Sequence, residues 1–407
     1  MNAATPSPDA LRAAIAGLPT THHEDWKYTD LSFITDIGNQ WLDQGASVRP
    51  VGELPDAAKM IQKKIDADWL IIGNGVVDDE SLAAIDQPGI AVTRIDPAND
   101  EQAIDSPLAD LNTALLPDRL LIHVSVDAKQ ARPIGLLIVD NADSAISMSA
   151  ARVKIELDAG SHTSIIEFHT SSGDEDHYAN SIVSVKLGDH SSIDYVRIQD
   201  RDRRHCQTGH LAVSMGRDSR FDHCVFDLGG HLIRNDVHID IAKPGASASF
   251  NGIYLAGNAQ HIDNHTRVDH RVGPADSRQE YRGILSGNAR CVWNGKAVVH
   301  AGADGTDAEQ ANHNLLLSEK AEINAKPELE IYAEDVKCSH GTTIGQLDEA
   351  ALFYLQTRGL SRQQAKEILT RAFAQAIVSK SPIASMREAL AEMISTKLTD
   401  IVEGAPE

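Results

Sequence analysis

AGSHTSIIEFH (Ala159–His169), GDHSSIDYVRI (Gly188–Ile198), GRDSRFDHCVF (Gly216–Phe226), GASASFNGIYL (Gly245–Leu255), GPADSRQEYRGIL (Gly273–Leu285) and GADGTDAEQANHNLLL (Gly302–Leu317) share one plan. Each contains a glycine, passes through small polar residues and runs into an apolar strand. The glycines Gly160, Gly188, Gly216, Gly245, Gly273 and Gly302 are 28, 28, 29, 28 and 29 residues apart. A second β-type run fills the other half of each unit: SIVSVKL from Ser181, HLAVSM from His210, DVHIDIA from Asp236, HTRVDH from His265 and KAVVHA from Lys296. Such a unit cannot bury its own inner face and needs copies stacked on it. The glycine is expected at a tight corner where a positive φ is cheap. The pattern predicts a mainly β chain, folded as a flattened β-solenoid with two strands per coil. An antiparallel meander or β-sandwich is the alternative.

Composition agrees with thin, repetitive packing. Aromatic residues make up only 4% of the 407, so the core must be built from Ala, Val, Ile and Leu. A net charge of -22 repels polyanions, which argues against nucleic acid or an anionic membrane as the main partner. The apolar runs are too short to span a bilayer. The first residues lack a basic region followed by an apolar core, so no signal peptide is expected. Cys206, Cys224, Cys291 and Cys338 form neither a Cys-x-x-Cys pair nor a disulfide framework. Together these readings predict a cytoplasmic location.

Outward from the repeat, the texture changes at both ends. Ala10 to Ile15 has helical spacing and stops at Gly17 and Pro19, and residues 50–110 read as a small mixed α/β region. Past Gly341 the pattern turns helical. Glu349 to Arg358 ends at Gly359, Ser361-Arg-Gln-Gln364 has capping-box spacing, and Ser385 to Glu388 opens a third helix. Ile368, Leu369, Ala372, Phe373 and Ala376 form the expected buried stripe, with apolar surface left over for a partner. The division is 1–115, N-terminal helical and α/β; 116–341, solenoid; 342–407, C-terminal helical domain.

Two groups of residues suggest chemistry. The histidine pairs His162 and His190, His177 and His205, and His210 and His238 are each 28 apart, which would place them on neighbouring coils as a metal row or as plain outer rungs. His261 and His265 have zinc-motif spacing but lie on a strand-like run, so a zinc site there is discounted. The second group is KPELEIYAEDVKCSHGTTIGQLDEAALFYLQTRGL (Lys326–Leu360). Leu329, Ile331 and Ala333 alternate on one parity and Val336, Cys338 and His340 on the other, so a corner near Glu334-Asp335 must reset the register. In extended chain Cys338 and His340 point the same way, a thiol and an imidazole able to share iron or zinc. Two ligands do not complete a site, so another segment or another chain must add donors. A nearby imidazole would also ease thiol deprotonation. A buried, inert Cys338 is the competing reading. No Gly-x-x-x-x-Gly-Lys-Ser/Thr, dinucleotide fingerprint or Gly-x-Ser-x-Gly elbow is present.

The run from Glu330 to Leu360 resembles the SufB/SufD family of SUF iron–sulfur cluster assembly scaffolds, in its SufD form. HHEDWKYTDL (His22–Leu31), RPIGLLIV (Arg132–Val139) and NHNLLLS (Asn312–Ser318) extend the likeness over nearly the whole chain. The resemblance implies a right-handed parallel β-helix between helical ends. It implies a SufB-type partner against the β-helix, and a SufC-type ATPase against the C-terminal helices from Leu347 to Lys380. Carried over, Cys338 and His340 match a pair facing SufB, where a transient iron or iron–sulfur cluster is held. The implied function is a non-enzymatic subunit of the SufBCD scaffold, supporting iron acquisition and nascent cluster assembly, with ATP hydrolysis in SufC. A homodimer in the absence of SufB, with no ligand role for Cys338, is the structural alternative. A carbohydrate-active β-helix enzyme is the rival from another class, and it leaves the C-terminal helices without a role.

Overall fold

The computed structural model describes residues 6–48, 51–96, 106–115, 118–143 and 145–403. The chain start, residues 97–105 of the expected mixed α/β region and the expected boundary at residue 116 lie outside these residues. The first part alternates helices and short strands: α1 (Pro8–Ala16), α2 (Ser32–Asp43), α3 (Asp56–Lys64), β1 (Asp68–Gly73), β2 (Val76–Val77), α4 (Asp79–Ala84), β3 (Ile90–Arg94), α5 (Pro107–Leu115) and β4 (Leu120–Val124). Strands then follow without interruption: β5 (Ile134–Asn141), β6 (Ser147–Leu157), β7 (His162–Ser172), β8 (His177–Leu187), β9 (Ser192–Asp200), β10 (Cys206–Met215), β11 (Arg220–Asp227), β12 (Leu232–Ile241), β13 (Ser247–Ala256), β14 (His261–His270), β15 (Asp276–Leu285), β16 (Arg290–Val299), β17 (Asp307–Leu316), β18 (Glu322–Ile331) and β19 (Lys337–Gly345). The chain ends in α6 (Glu349–Thr357), α7 (Arg362–Val378) and α8 (Arg387–Glu403).

The odd strands from β5 to β19 stack in one sheet and the even strands from β4 to β18 in the other. Every pairing between them is parallel. Among the described residues, antiparallel strand pairs occur only at the start, where β2 joins β1 and β3 joins β4. Each successive odd–even pair is therefore one coil of a solenoid, with two strands per coil as the glycine rhythm predicts, and the strands run parallel as the resemblance implies. The sandwich alternative falls, because its strands would pair antiparallel.

Inward-facing residues of both sheets form one core, from Leu70 and Ile134 through Ile155, Val183, Ile193, Val213, Ile239 and Val268. Outside the odd sheet, α3, α7 and α8 cover a second apolar layer that includes Leu137, Phe168, Ile198, Phe226 and Ile253. Helix α7 buries Ala374, Ile377 and Val378 there, with Phe373 partly buried, while Ile368 stays exposed. The expected stripe is thus rotated: the buried face of the helix runs through Ala365, Thr370, Ala374, Ile377 and Val378, turned against α8 and the odd sheet. Outside the even sheet, α1, α2 and α5 cover Met148, Ala150, Tyr178, Cys206 and Leu232.

The six glycines are not equivalent. Gly160, Gly245 and Gly302 have φ of 76°, 79° and 86°, as the corner reading requires. Gly188, Gly216 and Gly273 do not, and the positive φ in two of those corners falls on His190 and Asp218. At these three positions the constraint is space. A Cβ on Gly188 would lie 2.6 Å from the Ala159 nitrogen, and one on Gly216 would lie 2.7 Å from the Leu187 oxygen, both backbone atoms of the coil beneath.

The lumen is also more polar than its alternating pattern suggests. Glu167 accepts from the Tyr195 hydroxyl at 2.5 Å and bonds His169 Nε2 at 2.5 Å. Arg197 donates to Asn235, which in turn donates to Asp227. Beside them the buried His223 ring stacks on Phe221 with centroids 5.7 Å apart, and burial, with Arg197 nearby, pushes its pKa down to about 3. Two outcomes follow. Gly216→Ala lowers stability in urea or thermal unfolding by about 1–3 kcal/mol through backbone overpacking, whereas Gly345→Ala, with open space around it, stays within about 0.5 kcal/mol. An unfolded histidine takes up a proton near pH 6.5 while folded His223 does not. Stability therefore falls as pH drops from 6.5 toward 3, and His223→Phe reduces that loss by on the order of 2 kcal/mol at pH 5.

Candidate functional site

Strand β18 ends at Ile331, the chain turns a corner, and β19 begins at Lys337 in the opposite sheet. The corner is pinned by Asp304, whose carboxylate accepts from the Glu334 and Asp335 amides at 3.4 Å, and by Gly305, which donates to the Asp335 carbonyl at 2.7 Å. This is the register reset expected near Glu334-Asp335. Strand β19 runs on to Gly345, past the change of texture at Gly341, because its ladder with β17 continues to Leu315 opposite Gly345.

Cys338 stands opposite Ala308, His340 opposite Gln310, Thr342 opposite Asn312 and Ile344 opposite Asn314. Ala308, Gln310, Asn312 and Asn314 are the buried, inward rungs of β17. Cys338 and His340 therefore share the inward face, at the mouth of the lumen. No strand pairs with the far side of β18 or β19 among the described residues, so this end of the solenoid is open and both edges present unpaired backbone groups. Cys338 is half-buried and His340 exposed. The inward residues of β18, namely Ala325, Pro327, Leu329 and Ile331, supply no ligating side chain. The lumen beneath is closed by Gln310, whose amide, in the orientation that satisfies both of its ends, donates to the Gly295 carbonyl and accepts from the Ala297 nitrogen, each at 3.2 Å.

Electrostatics at the thiol run against the sequence expectation. Burial, aided by the Asp307 carboxylate, pushes the Cys338 pKa above its ordinary value, while the Ala308 backbone contact acts the other way. The neighbouring imidazole does not make it a standing thiolate. A bound cation could, since thiol ligands bind metal with loss of the proton. The other cysteines are sealed: Cys206 beneath the N-terminal helices with its pKa pushed up to about 12 by burial, Cys224 under α7, and Cys291 in the lumen.

Of the histidine pairs, only His177 and His205 meet, with ring centroids 5.5 Å apart. Both are buried and tied to Ser147, Ser149, Ser171 and the Glu175 carbonyl. His162 stands opposite Ser192, and His210 opposite Asp236. The 28-residue spacing misleads because coil length varies: Cys206 pairs with Leu232, 26 residues on, while Arg290 pairs with Glu322, 32 on. No group of three or more His, Cys, Asp or Glu able to hold a metal occurs among the described residues. His261 bonds Thr29 at 2.8 Å and His265 pairs with Asp263 at 3.1 Å.

The HHEDWKYTDL segment is a strap over the even sheet. Trp26 lies 4.3 Å from the Arg234 guanidinium, and Thr29 donates to Asp263 at 2.5 Å. Burial would raise the Asp263 pKa, but Arg234 and His265 hold it well below the carboxylate range. The sequence marks Trp26 and Thr29; it gives no sign of Arg234 and Asp263, more than 200 residues away, because their pairing exists only once coils stack.

Residues 138–373 match the family model described as SUF system FeS cluster assembly, SufBD core domain, which is more than half of the chain. The chain belongs to the SufB/SufD family. The iron–sulfur cluster assembly protein SufD of Escherichia coli (strain K12) is 28% identical over 366 residues, covering 88% of this chain and 84% of that protein. A SufBD family iron–sulfur cluster assembly protein of Synechocystis is 28% identical over 403 residues, 93% and 87% of the two chains. SufD of Bacillus subtilis (strain 168) is 23% identical over 332 residues, 80% and 74%. For a SufB/SufD protein of the SufD kind, the process served is iron–sulfur cluster assembly by the SUF system. No helix among the described residues is long and apolar enough to cross a membrane.

The burial pattern sets a chemical test. In the native protein a maleimide labels one cysteine, Cys338, and Cys338→Ser abolishes labelling. The rate keeps climbing with pH beyond the range of an ordinary thiol, because the thiolate forms late.

Proposed function

We propose that the chain is the SufD subunit of a cytoplasmic SufBCD scaffold, and that Cys338 and His340 are its contribution to a transient site for iron or a nascent iron–sulfur cluster. The observation that carries this reading is an incomplete ligand pair on the last strand of an open-ended solenoid. A thiol and an imidazole suit iron, and two donors leave room for donors from elsewhere. The unpaired edges of β18 and β19 suit a second β-helix, that of SufB, by strand addition. Iron and sulfide are the cargo, released when the cluster moves on, so a resident closed site would defeat the purpose.

The C-terminal helices suit the SufC ATPase. Phe353 and Tyr354 on α6 are 68% and 57% exposed, and Ile368 on α7 is 45% exposed, large apolar side chains open to a partner. Only residues 346–348 separate β19 from α6. A pull on α6 is therefore delivered to the strand that bears Cys338 and His340. The chain carries no P-loop motif, so ATP chemistry belongs to the partner and this subunit acts as scaffold rather than enzyme. The rise in the Cys338 pKa favours the alternative, a structural homodimer joined through the same open end with Cys338 inert.

The two are separated by reconstituting the three-subunit complex with His340→Ala and with Cys338→Ser. Both variants fold normally, since neither side chain is packed in the core, and both retain SufB and SufC. Each lowers the rate of cluster formation by about tenfold or more, as loss of a metal ligand should cost at least as much as loss of its supporting hydrogen bond. Full cluster-forming activity in both variants removes the pair from the mechanism and leaves the structural reading.

A further inference from the structure

The two strands that end the solenoid are held very differently. Strand β18 lies on apolar rungs: Ile323 opposite Cys291, Ala325 opposite Trp293, Leu329 opposite Ala297 and Ile331 opposite Val299. Ile323 is 9% exposed, and Leu329 packs against the main core. Strand β19 instead lies on Ala308, Gln310, Asn312 and Asn314. These amides already satisfy one another and the lumen wall. Gln310 reaches Gly295 and Ala297, Asn314 donates to Asn312 at 2.6 Å, Asn314 accepts from the Tyr254 hydroxyl at 2.5 Å, and Asn312 donates to the Tyr281 carbonyl at 3.3 Å. Removing β19 from them uncovers groups that water solvates well, whereas removing β18 uncovers apolar surface.

The outer side of β19 is equally bare. Gly341 and Gly345 leave nothing within 4 Å of where a Cβ would stand, and every residue of the strand except Cys338 and Thr342 is exposed. Beyond its ladder with β17, its side-chain ties are the Cys338 thiol against the Ala308 backbone and two contacts at Thr343: His313 Nδ1 lies 2.9 Å from the Thr343 hydroxyl, and Asn314 donates to the Thr343 carbonyl at 3.4 Å. At its C-terminal end Leu347 is packed into the layer outside the odd sheet, with α7 and α8, not into the lumen.

We propose that β19 is a releasable strand: it detaches from β17 over the amide floor of Gln310, Asn312 and Asn314 while β18 and the rest of the solenoid stay folded. This deepens the reading of Cys338 and His340 as a shared site, since the residues that bear it then move without unfolding the trunk. The floor acts as the true end cap of the odd sheet.

Hydrogen exchange measured by mass spectrometry on the full chain tests this, with β18 as an internal control because it too is an edge strand. Amides of residues 337–345 exchange about tenfold faster than those of 322–331, beyond ordinary end fraying, which would affect both. Thr343→Ala removes the exposed tie and speeds 337–345 a further several-fold without changing 322–331. Gln310→Leu makes the floor apolar and slows 337–345 relative to 322–331. If Gln310→Leu melts early by circular dichroism, the wild-type ratio and Thr343→Ala still decide. Equal exchange of the two edge strands, unaltered by Thr343→Ala, overturns the proposal. Adding a SufB-type subunit protects both strands if the docking reading holds; a wild-type ratio of about tenfold with no protection on addition sinks the docking and leaves the releasable strand standing.

Discussion

Parallel stacking with fixed register is the constraint on which everything else in this molecule rests. One coil has an inner face it cannot bury and two edges it cannot pair. Each coil solves the problem for the one before it and passes it to the one after. At the start the debt is settled locally: β2 and β3 turn back antiparallel, and α1, α2 and α5 cover the outer face. At the other end nothing among the described residues does so. Strands β18 and β19 keep open edges, and the last inward rungs, including Cys338 and His340, face out of the lumen.

That geometry explains why a thiol–imidazole pair can be useful here and inert elsewhere. In the lumen, Cys291 has no access to cargo and its thiol is pushed up by burial. On the final rung the same kind of inward position is left open, because no further coil covers it among the described residues, and the proposed site uses that opening. The apolar residues across from it and the Gln310 amide beneath it, tied to Gly295 and Ala297, offer no ligand, so further ligands would come from outside the lumen. A docking subunit would complete the coordination and withdraw the site from water in one step.

The solenoid was legible because two independent signals agreed, period-two alternation within strands and a near-constant interval between glycines. The interval was legible for a reason only half understood from sequence. Three glycines relieve φ, and three relieve contact with the coil beneath, a distance no single strand encodes. Two of the three histidine pairs fail for the related reason that coils range from 26 to 33 residues, so equal spacing does not mean equal height. Cys338 and His340 were readable as sharing a face, since that needs only their i, i+2 spacing. The direction of the thiol shift was not, because it depends on burial against Ala308 and on Asp307. The buried network of Glu167, Arg197, Asn235 and Asp227 was equally hidden, its members being polar interruptions until stacking joins them.

The central claim is that a sister subunit completes this chain at its open end. Photo-crosslinking from Ser339, which lies on β19 between Cys338 and His340, addresses it directly. With a benzophenone side chain at that position and the complex intact by size exclusion, the account predicts a covalent adduct with the SufB-type subunit. An intact complex with no adduct from Ser339, and with adducts forming instead from β3 or from the strap around Trp26, would contradict it.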